Sequence, residues 1–482
     1  MASPDAHDAA AIRARLGHPV VDADAHTLEF LPAVVDEIAA VGGRELAQGF
    51  DQAVRVPMAT RGLSADQKRA IGLFRMTWWG FPARNTLDRA TAMLPRLQYE
   101  RLDELGIDFA VLFPTYGLAA LSLDDPDLRR ASVRGLNRYY AAAYGELRDR
   151  LSMAGVIPMQ TPAEAIEALD HAVGELGLRN VVVAGHVHRP LPIEGAPRSA
   201  RWVDNFALDS AHDYDPVWAR CRELGVSPAF HSSGMGWGNR ASPTSYVFNH
   251  LGNFAAAGEH TCRSLVLGGV PHRFPELRFA FLEGGVAWAC NLYADLIGHF
   301  EKRGAHAIGH LDPRGLDRAR LRELFEKYAP AGFLRHLGEL DSAVSVLSDA
   351  GEDPAGLDEF AASGIRRAED LRDTFETRFF FGCEADDPMN ATAFDTRRNP
   401  LGARLAPVFG SDIGHWDVPD MCGVLPEAFE LCKRGLVSES DLRAFLLENP
   451  VRLWGETNPR YFEGTPVEAA AREILSERGL RR

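Results

Sequence analysis

Positive charge is in short supply in this 482-residue chain, where 52 Lys and Arg stand against 67 Asp and Glu for a formal net charge of −15. No segment gathers the basic residues into a stripe, so neither a nucleic acid nor an anionic membrane surface is an expected partner. Apolar runs long enough to span a bilayer are missing as well. The N-terminus, Met1-Ala2-Ser3-Pro4-Asp5-Ala6-His7, lacks the basic-then-apolar order of a secretory signal. The six cysteines (Cys221, Cys262, Cys290, Cys383, Cys422, Cys432) make no Cys-x-x-Cys pair and no metal-knuckle spacing. They read as packed, reduced thiols of a cytoplasmic protein. No Gly-x-Gly-x-x-Gly turn follows the first strand, which removes the support for a dinucleotide-binding start.

What is present is a series of short apolar runs separated by helical stretches. The runs lie at 18–26, 108–114, 153–158, 181–184, 227–231, 278–283, 378–381 and 405–409. Eight such strands alternating with helices predict a parallel α/β architecture, a (β/α)8 TIM barrel, occupying 1–482 as one domain. Two segments fit no barrel period. One, about 49–94, contains Trp78-Trp79-Gly80-Phe81-Pro82 and is placed over the barrel mouth; the other, about 303–375, is charged and helical, a solvated insertion or an oligomer contact. The tail, about 449–482, reads as helical and exposed apart from Trp454 and Phe462.

Catalytic residues of such barrels collect at the C-terminal ends of the strands. Those ends here carry Asp24 and His26, His186 and His188, His231, Glu283, Glu384, and then Asp412 with His415. Asp24 and His26 are two residues apart and share a strand face. Mixed imidazole and carboxylate donors suit zinc, manganese or iron, so a divalent metal is expected on Asp24, His26, His231, Glu283, Glu384 and Asp412. His250, inside a helical stretch, is a candidate for a second metal or a packed core residue. Asp412 and His415 are the candidate catalytic acid–base groups. Trp237, Trp416 and Arg240 are the candidate substrate contacts, and Arg189 is another arginine placed to orient a substrate carboxylate. The glycine-rich loop after His231 lacks the Lys-Ser/Thr of a phosphate-binding loop.

Asp24-x-His26, Phe230-His231, Leu282-Glu283-Gly284-Gly285-Val286-Ala287-Trp288 and Gly410-Ser411-Asp412 together resemble the amidohydrolase-related metal-dependent TIM-barrel enzymes, over nearly the whole chain. The resemblance implies a divalent metal and either hydrolysis or non-oxidative decarboxylation, with metal-ligand roles falling on Asp24, His26, His231, Glu283 and Asp412. It has departures. Asp24 stands where hydrolytic members commonly have His, Glu283 where a strand-six His is common, and no strand-four Lys is present. With the long inserts and Ser411-Asp412-Ile413-Gly414-His415-Trp416-Asp417, the chain is similar to the long-chain branch of that fold that includes non-haem di-iron monooxygenases.

Two chemistries follow from the resemblance. In the leading expectation two irons per chain, O2 and an electron donor hydroxylate an apolar small molecule, such as one linked to coenzyme A. In the alternative a single zinc or manganese serves a hydrolase or decarboxylase. A homodimer is the expected assembly. Several residues have plainer readings: Asp24 or Asp22 as an orienting partner of a ligand imidazole, Glu283 as the partner of an arginine, Glu384 as part of an acidic turn with Asp386 and Asp387, His415 as a helix-start packing residue, and the tryptophans as core.

Overall fold

Strands that are buried on both faces read as unbroken apolar runs, and the computed structural model puts Val181, Val182, Val183, Phe379, Phe380 and Phe381 fully out of solvent. It describes residues 8–77, 80–197, 200–348, 351–353 and 356–479; Trp78 and Trp79 lie outside the described residues. Among the described residues ten strands form: β1 Val21–Thr27, β2 Phe109–Pro114, β3 Leu151–Ile157, β4 Asn180–Val183, β5 Val187–Pro190, β6 Arg201–Asp204, β7 Pro228–Phe230, β8 Phe279–Phe281, β9 Phe379–Glu384 and β10 Ala406–Gly410. Eight of them, in the order β1-β2-β3-β4-β7-β8-β9-β10, pair in parallel as the TIM barrel expected from the sequence. Helices such as Pro126–Tyr144, Pro162–Leu169, Asp215–Leu224 and Ala287–Arg303 connect them.

Alternation along the strands decides which side chains enter the barrel. The Phe230 ring packs on Trp218 of the helix Asp215–Leu224, at 6.4 Å between centroids, and therefore faces the helical layer. The next residue, His231, faces the other way, into the mouth. Phe281 likewise packs outward on Trp288 at 5.8 Å. The large outward phenylalanines fix the register that aims the polar strand ends inward.

The barrel closes between its first and last strands through one buried carboxylate. Asp22 Oδ1 accepts from the backbone N–H of Asp24 at 3.2 Å and from that of Ser411 at 3.1 Å. Asp412 N–H donates to the Asp24 carbonyl at 3.0 Å. A register shift in β1 between Asp22 and Ala25 leaves the Asp24 amide outside the regular ladder with β2. Bulges re-aim side chains near active sites, and Asp22 satisfies the amide that this one frees.

The sequence expectations need revision in three places. β5 and β6, which the sequence reading did not foresee, form an antiparallel hairpin, with Val187 opposite Asp204. His188 therefore belongs to this hairpin and not to a barrel strand. Arg189 is committed there too, paired with Asp204 and donating to Tyr214 Oη and the Gln160 carbonyl, so it is not free to orient a substrate. The tail is not an exposed appendage. Val451, Leu453, Val467, Ala471, Ile474 and Leu475 are buried, Asn449 Nδ2 donates to the Pro407 carbonyl, and Tyr461 Oη donates to Asn180 Oδ1. Those contacts lie at the strands' N-terminal halves, where the tail covers apolar side chains that water would otherwise reach.

Residues of the 49–94 segment contact the loops at the mouth. Arg75 N–H donates to the Ser242 carbonyl, Asn249 Nδ2 donates to the Arg75 carbonyl, and the Phe81 ring lies 6.4 Å from that of His415. In the 303–375 segment, the helix Arg318–Tyr328 buries none of its residues. No helix among the described residues is long and apolar enough to cross a membrane.

Replacing Asp22 by Ala leaves the Asp24 and Ser411 amides buried without an acceptor, at a cost of roughly 1–3 kcal/mol each. Thermal unfolding of Asp22→Ala should begin several degrees below that of the parent; an unchanged Tm would show that barrel closure does not depend on this carboxylate.

Candidate metal centre

Five strand ends deliver their polar residues to one place. His26 Nε2 lies 3.2 Å from His231 Nε2, 3.3 Å from Asp412 Oδ1 and 3.7 Å from Asp24 Oδ1. His231 Nε2 is 3.0 Å from Glu283 Oε2 and 3.7 Å from Asp24 Oδ1. Among the described residues three groups of ligand atoms are close enough to share an ion: Asp24, His26 and His231; His26, Glu283, Asp412 and His415; and Glu384, Asp412 and Asp417. Asp24, His26, His231 and Asp412 are all buried.

Two of these residues hold a backbone conformation that L-residues avoid. Glu283 has φ 58° and Asp412 φ 48°. Left-handed geometry at a non-glycine residue costs on the order of 1–2 kcal/mol, and such residues cluster at functional sites. Here the cost turns both carboxylates back across the mouth. Gly285, at φ 68°, completes the turn after Glu283, its N–H donating to the Gly382 carbonyl.

The atoms crowd together without satisfying one another. Asp24 Oδ1, Glu283 Oε2 and both carboxylate oxygens of Asp412 are buried and have no aligned hydrogen bond among the described residues. This holds although His415 Nδ1 is 2.5 Å from Asp412 Oδ1. Buried polar groups are otherwise almost always paired. Donors about 2.1 Å from one cation stand roughly 3.0–3.4 Å apart, close to the separations around His26 and His231. The donors point at a shared centre, and their chemistry, imidazole with carboxylate, fits a divalent ion.

Burial drives the carboxyl groups up, and they drive each other. The Asp24 carboxyl is pushed up to about 8 by burial, against the pull of His231 and with Glu283 and Asp22 adding to it. Burial and then the charges of Glu283, Asp417 and Glu384 hold Asp412 well above the usual carboxylate range. Glu384 moves the same way, from burial and from Glu283 and Asp417. At His231 burial opposes protonation, but the close approach of the Glu283 carboxylate and the charge of Asp24 win and raise it to about 9. Burial, reinforced by His415 and His231, holds His26 well down.

The remaining sequence candidates fall around this centre. Glu384, at the end of β9, is half-buried and lies with Asp412 and Asp417. His415 sits between Asp412 and Thr115, whose Oγ1 is 3.2 Å from His415 Nε2. His250 is outside the three ligand groups: it ends the short helix Tyr246–His250, its ring among Tyr246, Phe254 and Trp416. Trp416 is exposed at the rim. Arg240 donates to the Gly252 carbonyl and Trp237 is half-buried in the loop after His231.

Sequence reading missed two residues. Thr115 gives no signal of its own; only the approach of β2 to β10's loop reveals it. Glu29 is buried and accepts from the N–H groups of Tyr116 and Gly117 and from Tyr140 Oη, anchoring the loop that carries Thr115. A glutamate three residues after a strand-one ligand was legible only as the start of a helix.

The family model described as amidohydrolase matches residues 21–331. The chain belongs to the amidohydrolase family. The matched stretch holds Asp24, His26, His231 and Glu283 and stops before β9, so Glu384, Asp412 and His415 come from sequence beyond it. Among solved structures, similar chains include an amidohydrolase from Mycobacterium avium subsp. paratuberculosis K-10, with 20% identity, 91% of this chain and 98% of that one covered, and a TM-score of 0.49. Others are 5-carboxyvanillate decarboxylase from Sphingomonas paucimobilis (13%; 90% and 98%; TM-score 0.47) and a dihydroxybenzoic acid decarboxylase from Polaromonas sp. JS666 with bound manganese (14%; 92% and 99%; TM-score 0.48).

Proton binding at this centre has a stability consequence with a definite sign. Asp24, near 8 when folded against an ordinary 3.8, and His231, near 9 against 6.5, both hold protons in the folded state that the unfolded chain releases. Their contribution is lost as pH rises through 8 and 9. Chelator-treated protein should therefore lose a few degrees of Tm between pH 6.5 and 9. A saturating divalent cation competes with those protons, so its stabilisation should grow over the same range. A chelated protein whose Tm rises with pH in this window would contradict the assignment.

Proposed function

We propose that this amidohydrolase-family chain is a divalent-metal-dependent enzyme of the hydrolase or non-oxidative decarboxylase type, acting on a small organic molecule at the barrel mouth. The observation that carries the reading is the convergence of donors from four strand ends on one centre, where carboxylate oxygens of Asp24, Glu283 and Asp412 are buried and unsatisfied. Asp24, His26, His231, Glu283 and Asp412 would hold the cation. When bound, it supplies Lewis-acid polarisation of a substrate oxygen or of water.

The chain's own residues handle the proton. Asp412 Oδ1 and His415 Nδ1 are in contact, and Thr115 Oγ1 on the far side of the ring fixes which nitrogen faces the carboxylate. A proton at His415 can pass to or from a group above Asp412, with Asp412 stabilising the charged imidazole. Phe81, 6.4 Å from the His415 ring, shields the pair from bulk water on the side of the first insertion.

A second reading rests on a different observation. Asp24, Glu283, Glu384, Asp412 and Asp417 put five carboxylates around three imidazoles, more negative charge than one divalent ion offsets. The trio Glu384, Asp412 and Asp417 supports a second cation, and a carboxylate-rich pair of irons would suit oxygen-dependent hydroxylation.

Metal content and oxygen dependence separate these readings. For the first, zinc- or manganese-loaded protein should turn over carboxylic acids, esters or acyl-coenzyme A thioesters under anaerobic conditions, with about one metal per chain. For the second, iron-loaded protein should hold about two per chain and take up O2 with reductant and substrate, and Glu384→Ala should remove one metal. Asp412→Asn, which removes a crowded charge and suits a left-handed backbone position, should keep or raise the metal-free Tm while abolishing metal-induced stabilisation. Undiminished metal uptake by Asp412→Asn would overturn both readings.

A further inference from the structure

Beside the carboxylate centre lies a part of the mouth of opposite character. His186 follows Gly185 at the end of β4, and Val183 of β4 pairs with Phe230 of β7. His186 therefore stands slightly farther up the mouth than His231 on the neighbouring strand. Gly185 fixes its position: the N–H donates to Ser232 Oγ at 2.6 Å, and the carbonyl accepts from Thr261 Oγ1 at 2.6 Å. A Cβ at Gly185 would meet both of those oxygens at 3.1 Å.

The Trp237 indole packs edge-on to His186, 5.2 Å between centroids, and edge-on to His260 at 5.6 Å. Its loop is a folded turn. Trp237 N–H donates to the Gly234 carbonyl, Gly236 N–H to the Arg240 carbonyl and Arg240 N–H to the Trp237 carbonyl. Gly236, with φ 88°, lies so close to Phe74 that a Cβ would stand 2.5 Å from that ring. Trp237 is thus held in place before any ligand arrives.

Two polar atoms in this arrangement have no partner. His186 Nδ1 and Trp237 Nε1 are both buried and without a hydrogen bond among the described residues. Leaving a buried donor unmade costs roughly 1–3 kcal/mol, so for packing alone phenylalanines would serve better at both positions. Indole N–H can only donate, and a neutral imidazole can present N–H at Nδ1. Burial, followed by the charges of His188 and His260, holds His186 down at about 3, so the ring is neutral. The strongest charges acting on it come from imidazoles, whereas at the neighbouring centre they come largely from carboxylates.

We propose that His186 and Trp237 form a substrate-binding subsite for an acceptor-only oxygen group, a carboxylate or a carbonyl, of a ring-bearing substrate whose reacting end faces His231 and Asp412. The proposal rests on the mouth being the substrate site, as the proposed function has it. The metal-free centre is crowded with carboxyl groups, whereas the His186 side offers donors and aromatic faces.

The indole N–H of Trp237 reports directly on this subsite. In a nitrogen–proton correlation spectrum it is the indole signal missing from Trp237→Phe. Benzoate, methyl benzoate and toluene are titrated into zinc-loaded and chelated protein. The expected result is a saturable downfield shift of that signal with benzoate or methyl benzoate, whichever binds more tightly naming the oxygen source, and none with toluene. His186→Leu should raise the Kd at least tenfold at unchanged Tm, and Trp237→Phe, measured by calorimetry, should weaken binding by a similar factor. A saturable shift in chelated protein supports the subsite even where the metal reading fails. No saturable shift in either form, equal response to toluene, or an unchanged Kd in both variants would overturn it.

Discussion

Negative charge packed into a dry space is the constraint on which the rest of this structure depends. Asp24, Glu283, Glu384 and Asp412 are brought together at the barrel mouth, and the strongest charges acting on them are one another, neighbouring aspartates such as Asp417 and Asp22, and the nearby histidines, with no lysine or arginine among them. Isolated buried carboxylates are costly enough that a protein ordinarily protonates or pairs them. A fold that keeps this set, and places two of its members at left-handed φ values to do so, accepts local instability at the mouth. Its stability comes from elsewhere: the phenylalanine-rich outer faces of β7, β8 and β9, the Asp22 clasp between β1 and β10, and the tail beneath the strands.

The same principle divides the mouth into regions. Around His231 and Asp412 the surroundings select for positive charge. Around His186 and Trp237 they offer donors and aromatic faces. A substrate with a polar oxygen at one end and a reacting group at the other would be oriented by that contrast before any chemistry begins, which is how positioning lowers a barrier. The 49–94 segment brings the Phe81 ring to 6.4 Å from that of His415.

Much of this was legible in the sequence because barrel strands obey simple rules. Runs such as Val181-Val182-Val183 and Phe379-Phe380-Phe381 can be buried only on both faces, and the polar residue ending each run then faces the mouth. What escaped was whatever depended on contacts distant in sequence. The β5–β6 hairpin contains His188, Arg189, Arg201 and Asp204, a polar composition that reads as loop until the two strands meet. The tail spaces its apolar residues at helical intervals, but its burial follows from where the barrel's open end lies. Asp22, two residues before Asp24, had the pattern of a ligand's neighbour, and only the bulge in β1 shows that its carboxylate satisfies backbone amides. His250 has the residue type of a ligand, yet its helix places the ring among aromatics.

The family match accounts for the residues of β1, β7 and β8, whereas Glu384, Asp412 and His415 come from the part of the chain beyond it. The central claim, that these two contributions converge on a bound cation, is tested most directly by crystallography of protein purified without chelator, with anomalous data at the iron, zinc and manganese edges. The account predicts an anomalous peak about 2.0–2.3 Å from donors of His26, His231 and at least one of Asp24, Glu283 and Asp412. No peak there after soaking with each of the three metals, with the carboxylates instead hydrogen-bonded to the imidazoles, would contradict it.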